Sequence, residues 1–281
     1  MESTDLLRLD RLAERHINGC VTLSAEAGWN QTRDDWMLFL RRGTVYGLPG
    51  GHGEPDATGA VLPYAGGFAW ISMVLVTAPR RRHRIGTRIL QKCCGDVVER
   101  GLVAVLDATP AGERVYRPLG FEPVFGLSRW QGEGGTGEGP SAGIRVVTDD
   151  DLTMVAAVDA AAFGALRMFL IESLFRRAPQ LAFVTADGSG FALARPGRLA
   201  TQIGPIVAAN EQSAVALLET ALGAATGPVF LDLTDRWDEL KRNLERRNFT
   251  VQRPYLRMGL RHTAPFGDPS RLFVVAGPEF G

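Results

Sequence analysis

Cysteine is scarce in this 281-residue chain, with only Cys20 and the adjacent Cys93 and Cys94. An odd count without metal-ligand spacing argues against both a disulfide framework and a zinc site, so no metal is expected. Net charge is missing too. Thirty-one Lys and Arg balance thirty-one Asp and Glu, so nothing global draws the chain to nucleic acid or an anionic membrane. Long apolar runs are also absent. The longest, Phe68 to Val76, contains Ser72 and is about half of what a bilayer crossing needs. The first residues, Met1-Glu2-Ser3-Thr4-Asp5, lack the basic-then-apolar order of a secretory signal. These gaps together predict a soluble, cytoplasmic protein.

Glycine is plentiful where the chain changes character. Gln131 to Gly143 reads QGEGGTGEGPSAG, with six glycines and no large apolar residue. Such a stretch predicts a flexible linker between domains over 1–130 and 144–281, each of ordinary domain size.

Periodicity predicts helices over Thr4 to Arg15, Gly86 to Arg100 and Gly112 to Leu119, with one or two short helices over Ala25 to Arg41. Strands are predicted over Thr44 to Leu48, Ala57 to Leu62, Phe68 to Val76, Val103 to Leu106 and Phe121 to Trp130. The second half repeats that order. Its strands are Leu181 to Ala186, Gly190 to Arg195, Ala200 to Val207, Val229 to Leu233 and Thr250 to Leu260. Its helices are Glu211 to Leu222 and Trp237 to Arg247. Leu106-Asp107, Gly120-Phe121 and Arg129 are echoed by Leu231-Asp232, Asn248-Phe249 and Arg257, with eight residues from Phe to Arg in both halves. The echo predicts two copies of one α+β fold, each a mixed sheet flanked by helices.

The chemistry concentrates in Val74 to Leu90. A buried strand runs into Arg80, Arg81, Arg82, His83, Arg84 and Arg88, and an amphipathic helix opens at Gly86-Thr87. Free N–H groups and the positive dipole end make a helix start a phosphate binder, and arginines add to it. No GK[ST] ending supports a P-loop, and no GxGxxG supports a dinucleotide turn. A solvated basic helix start would share these features. Nucleic-acid binding through Arg80 to Arg88 lacks interleaved aromatics.

Arg81-Arg82-His83-Arg84-Ile85-Gly86 resembles the acetyl-CoA motif [Q/R]xxGx[G/A] of the GNAT N-acetyltransferase superfamily, with Arg84 at the middle glycine. Ala108 to Val124, ATPAGERVYRPLGFEPV, is similar to the superfamily's A-x-x-hydrophobic-Tyr-x-x-hydrophobic-Gly-Phe segment. There Gly112 stands at the usual Ala and Tyr116 at the Tyr. GWNQTxxDW (Gly28 to Trp36), LDATPAG (Leu106 to Gly112), RPGRLATQIGP (Arg195 to Pro205) and RPYLRM (Arg253 to Met258) resemble bacterial two-domain GNAT proteins whose C-terminal domain is also GNAT-like.

The resemblance implies tandem GNAT-like domains and an acetyl-CoA-dependent N-acetyltransferase acting on a small-molecule amine by direct transfer. In that reading Val74, Leu75 and Val76 bind pantetheine through their backbone. Arg81, Arg82, His83, Arg84, Ile85, Gly86 and Thr87 hold the pyrophosphate, and Tyr116 is the acid that protonates the departing thiolate. Tyr116 could equally be a packing aromatic beside Val115 and Leu119. Trp29, Asn30 and Asp107 are candidate acceptor contacts, with Trp29 open to a helix-packing role, and Glu26, Asp34, Asp35 and His52 lie in segments that commonly wall that pocket but read first as solvated loop or helix residues. No general base is identifiable. The second half has AANEQSA where a basic loop would stand, with Glu211 at the helix start, so it is expected not to bind CoA. It is expected either to cover the acceptor or to stabilise a homodimer. The alternative is an acyl-CoA-binding or regulatory module without catalysis.

Overall fold

Alternating apolar residues that pair edge to edge, punctuated by amphipathic helices, build mixed sheets covered by helices. The computed structural model describes residues 8–135, 137 and 139–281. Contacts divide the chain into Met1–Pro63 with Phe68–Ala104, and Tyr64–Gly67 with Val105–Gly281.

In the first unit, strands β1 (Asp10–Arg11), β2 (Thr44–Pro49), β3 (Pro55–Tyr64) and β4 (Phe68–Val76) lie in that order. Helices α1 (Ile17–Glu26) and α2 (Arg33–Arg42) are tied by Trp36, whose Nε1 donates to Ser24 Oγ at 2.9 Å in a buried contact. Asp35 caps α2 by accepting from the Thr32 N–H at 2.7 Å and is fully buried. Helix α3 (Ile85–Glu99) lays Ile85, Ile89, Leu90, Cys93 and Val97 inward. Gly59 of β3 admits Ile89, whose Cγ2 an added Cβ would overlap. Within β4, Met73 takes a left-handed φ of 55°. Its carbonyl accepts from Thr58 Oγ1 at 2.9 Å, which pins this irregular point in the strand.

The second unit holds Val105 to Ala108 of β5 (Val103–Ala108), then α4 (Pro110–Tyr116), β6 (Phe121–Gly134) and β7 (Ile144–Val146). Helices α5 (Leu152–Phe163) and α6 (Met168–Arg177) follow, then β8 (Phe183–Thr185), β9 (Phe191–Arg195), β10 (Thr201–Val207) and α7 (Glu211–Ala224). The chain closes with β11 (Gly227–Thr234), α8 (Asp238–Arg246), β12 (Thr250–Leu260) and β13 (Leu272–Val275). Its strands run in the order β5-β12-β6-β11-β13-β10-β9-β8-β7. Leu217 and Leu218 of α7 and Leu240 and Leu244 of α8 share one core with Trp130 and Phe249.

Two features of that order matter. The strands that close each sequence half are exchanged: β12 of the second half pairs with β5 of the first, and β6 of the first half pairs with β11 of the second. Strands β10 and β11 also form a fork. They pair in parallel from Thr201↔Val229 to Ile203↔Leu231, and beyond that β13 lies between them. It pairs antiparallel with both, through Ile206↔Val274 and Asp232↔Val275. Gly204, at a φ of 142°, lets it in, because a Cβ there would overlap the Val275 carbonyl oxygen.

Several expectations are corrected. Thr4 to Leu7 of the first predicted helix lie outside the described residues. Asp10–Arg11 pair with Gly47 and Tyr46 as strand instead. Gln131 to Gly134 were expected in a flexible linker and instead finish β6, with Gly134 opposite Gly227. Backbone pairing supplies what their side chains cannot. Phe249 lies on Gly132, where a Cβ would come within 2.5 Å of its ring. Helices α5 and α6 and strand β13 had no counterpart in the sequence reading.

Candidate functional site

The basic segment leaves the end of β4 through a short 3-10 turn, Ala78–Arg80, and enters α3. Arg81, Arg82, His83 and Arg84 are exposed, Gly86 and Thr87 are half-buried, and Ile85 is buried. Arg84 is the N-cap of α3 at φ 58° and ψ 12°, and no side chain hydrogen-bonds across that cap. Arg82 is also left-handed, at φ 67°. A left-handed non-glycine residue costs about 1–2 kcal/mol. The backbone turn that a glycine would make freely is therefore kept, with an arginine imposed on it. The first N–H groups of α3 have no intrahelical acceptor, and the arginines surround that end.

Neighbours fix the loop firmly. Arg81 Nε donates to the Val76 carbonyl at 3.0 Å, and His83 Nδ1 lies 2.9 Å from the Arg81 carbonyl. Arg80 pairs with Asp56 at 3.1 Å, and the Thr77 N–H donates to the Asp56 carbonyl at 2.9 Å. Glu26, at the end of α1, accepts from Thr77 Oγ1 at 2.8 Å and from the Ala78 N–H. Its carboxylate also lies 3.6 Å from Arg81 Nη2. The Thr77 hydroxyl first, then the Ala78 N–H and the Arg81 charge, hold the Glu26 carboxyl below its ordinary range. Gly86 faces β4, and a Cβ there would meet Val76 at 3.6 Å and Val74 at 4.0 Å, ordinary contact distances.

Among the candidate acceptor residues, Trp29 is half-buried and Asn30 buried, just beyond α1. The structure brings Glu26 to the loop, against Thr77, Ala78 and Arg81. Asp35 serves as a helix cap. Sequence spacing gave no warning of the Glu26 contact, because fifty-one residues separate it from Thr77.

Asp34 lies in the first turn of α2 and is exposed, and the side chain of His52 lies outside what the structure describes. Tyr116 and Asp107 lie in the second unit. Tyr116 ends α4, half-buried, with its ring tilted against Phe121 at 5.9 Å between centroids. Gly112 lies under that ring: a Cβ there would come within 2.9 Å of Tyr116 Cε2 and 3.2 Å of its hydroxyl oxygen. Glycine at this position is what lets the ring settle against the helix. Asp107, expected to face an acceptor, has no exposed side-chain surface. Both of its oxygens accept from Arg257, each at 2.9 Å. Burial pushes its carboxyl up, against the pull of Arg257.

The second half's counterpart of the basic loop has opposite character. Asn210 caps α7 by accepting from the Ser213 N–H at 2.9 Å, and Glu211 occupies the first turn. Where α3 begins uncapped among arginines, α7 begins capped and acidic.

Residues 155–274 match the model of the acetyltransferase (GNAT) domain family. That match lies within the second half of the chain. Over 249 residues the chain is 22% identical to the uncharacterized N-acetyltransferase YitH of Bacillus subtilis, covering 84% of this chain and 85% of the relative. A putative acetyltransferase from Pyrococcus horikoshii superposes over 100% of this chain and 99% of its own, at a TM-score of 0.79 and 19% identity. A tandem GNAT protein from the clavulanic acid biosynthesis pathway matches 90% of this chain and 97% of its own, at 0.61 and 13%. The fold is thus the tandem GNAT fold. Among the described residues, no helix is long and apolar enough to cross a membrane.

Proposed function

We propose that this protein is an acetyl-CoA-dependent N-acetyltransferase of a small-molecule amine, with one donor site, in residues 1–130. The observation that carries the reading is the uncapped start of α3 within an arginine-rich loop. That loop keeps a left-handed turn at the motif's glycine position. Arg81 to Thr87 would hold the donor's pyrophosphate through backbone N–H groups and guanidinium charge. The end of β4, Val74 to Val76, would carry the pantetheine arm on its backbone.

Acetyl-CoA supplies the acetyl group as a thioester. The chain's part is to align that thioester with a neutral amine, polarise its carbonyl with a backbone N–H, and return a proton to the leaving sulfur. Tyr116 is the proposed proton donor, with Trp29 and Asn30 as proposed acceptor contacts. The cytoplasm, where such a donor is made and used, is the proposed setting.

The second half is proposed not to take CoA, for two reasons. Its helix start is capped and acidic, and the edge of β10 that corresponds to β4 is already paired with β13.

The alternative, an acyl-CoA-binding module without catalysis, draws on one observation. Ser72 is the only polar side chain of β4 and Asp107 is consumed by Arg257, so no carboxylate is assigned as base. Calorimetric titration of acetyl-CoA into the wild type and an Arg81→Ala/Gly86→Glu variant tests the donor site, with binding expected in the first and lost in the second. A screen of primary amines for CoA release follows. A fall in kcat of about 100-fold in Tyr116→Phe is expected for a proton donor. Transfer unaffected by that change would remove Tyr116 from the mechanism, and tight binding without transfer on any amine would favour the module.

A further inference from the structure

We propose that Glu26 is a positioning residue for the donor loop: it sets the conformation in which Arg81 and the Thr77–Arg80 turn meet the donor's phosphates. The inference rests on the donor-site reading above.

A carboxylate near an expected anion site would ordinarily oppose binding by like-charge repulsion. Glu26 is nonetheless built into the loop at three points. One oxygen accepts from Thr77 Oγ1 at 2.8 Å, the other accepts from the Ala78 N–H, and the Arg81 guanidinium lies 3.6 Å away. Its side chain is only 31% exposed. Charge-assisted bonds of this kind are stronger than neutral ones.

The loop needs such an anchor. It contains two left-handed arginines, Arg82 and Arg84, each of which would relax to an ordinary conformation if released. Arg81 would otherwise be a long side chain with many rotamers. Held between the Val76 carbonyl and Glu26, its guanidinium is fixed at the end of β4 before any ligand arrives. Ordering the loop in advance removes a cost that binding would otherwise carry.

The anchor is also specific to a carboxylate. In Glu26→Gln the side-chain oxygen could still accept from the Ala78 N–H. The new NH2 group would take the place of the oxygen that faces Thr77 Oγ1, so the Thr77 hydroxyl would lose its anionic acceptor and Arg81 its opposite charge. Glu26→Asp keeps the charge on a shorter stem. Thr77→Val removes one contact without touching Glu26.

The test is calorimetric titration of CoA, which needs no acceptor, into the wild type, the three variants and the Glu26→Gln/Thr77→Val double variant. Each protein's thermal unfolding is recorded without ligand. Glu26→Gln is expected to weaken CoA by about tenfold, the scale of one lost charge-assisted bond. Glu26→Asp should recover part of that loss. Thr77→Val should weaken binding less, and the double variant should resemble Glu26→Gln alone, because both act through one contact. Unfolding temperatures should stay close to the wild type. If wild-type protein fails to bind CoA, the donor-site reading falls and takes this inference with it. If the wild type binds and Glu26→Gln binds within twofold, only the role of Glu26 falls. Loss in Glu26→Gln with no recovery in Glu26→Asp, and with a lowered unfolding temperature, would mark a merely structural residue and equally overturn it.

Discussion

Arg257 Nε and Nη2 donate to the two oxygens of Asp107 at 2.9 Å each, joining β12 of the second sequence half to β5 of the first. Arg129 and Asp232 repeat the arrangement in the other direction, at 2.9 and 2.8 Å, with Gln202 Nε2 donating to the same carboxylate at 2.9 Å. Burial works against the Arg129 charge, and the Asp232 carboxylate more than offsets it. Each arginine also sits over aromatic rings, Arg257 over Phe125 and Arg129 over Phe230 and Tyr255. The two pairs are the same device used twice, with its members traded between the halves.

Arg257→Met should therefore leave Asp107 buried without its partner, at a cost of about 3–5 kcal/mol. The loss should depend on pH with a definite sign. Burial already raises the Asp107 carboxyl, and without Arg257 nothing opposes that. The folded state then holds a proton that the unfolded state releases, so stability should fall as pH rises from the ordinary carboxylate range through the raised value. Urea denaturation at several pH values checks this. Asp107→Leu/Arg257→Met should abolish that slope and recover much of the stability.

Arg84 offers a clean measure of backbone strain. Arg84→Gly and Arg84→Ala both delete the guanidinium, but only glycine takes φ 58° without penalty. Chemical denaturation should find the glycine variant more stable than the alanine variant by about 1 kcal/mol. If Arg84 contributes charge to phosphate binding, both should weaken CoA equally, which titration resolves separately.

Gly112→Ala restores the residue usual in the related segment and crowds Tyr116. The added methyl would sit within 2.9 Å of the ring, so the ring has to move from its place beside Phe121. Activity should fall by about tenfold or more while acetyl-CoA binding changes little, the signature of a displaced proton donor. Steady-state kinetics with the best amine found, alongside calorimetry, checks the separation.

The three thiols should be inert in the folded protein. Burial, with the Glu54 charge adding to it, pushes the Cys20 thiol up to about 12, and burial alone takes Cys94 to about 11. Cys93 is raised as well, again by burial first. The thiolate is the reactive species, so alkylation of native protein at pH 8 should be slow at all three. Partly exposed Cys94 should react about tenfold faster per unit of pH until it titrates. Mass spectrometry before and after denaturation reads this directly.

How far the sequence spoke depended on how local each cause was. Strand β4, helix α3 and the α7–β11–α8–β12 succession were legible because their periodicity lies within each element. The Phe-to-Arg echo was legible too, although its partners were not, because nothing within one half says that Asp107 meets Arg257 instead of Arg129. Gln131 to Gly134 misled because backbone pairing, with β11 throughout and with β12 at Gln131, needs no apolar side chains. Strand β13 escaped because four apolar residues carry no measurable period, and only the fork between β10 and β11 makes them a strand. The contacts of Glu26 are not legible in the sequence, since they are made to a loop fifty-one residues away.

The exchanged strands give the chain an unusual relation between cutting and coming apart. A protease that severed the chain between Gly139 and Pro140 would leave β6 on the leading fragment, hydrogen-bonded on both sides to β11 and β12 of the trailing one. Such a nick would not release two modules. Each fragment would keep the other's sheet whole, and the nicked protein should travel as one species on a sizing column and separate only in denaturant. Neither half, expressed alone, would own a complete sheet.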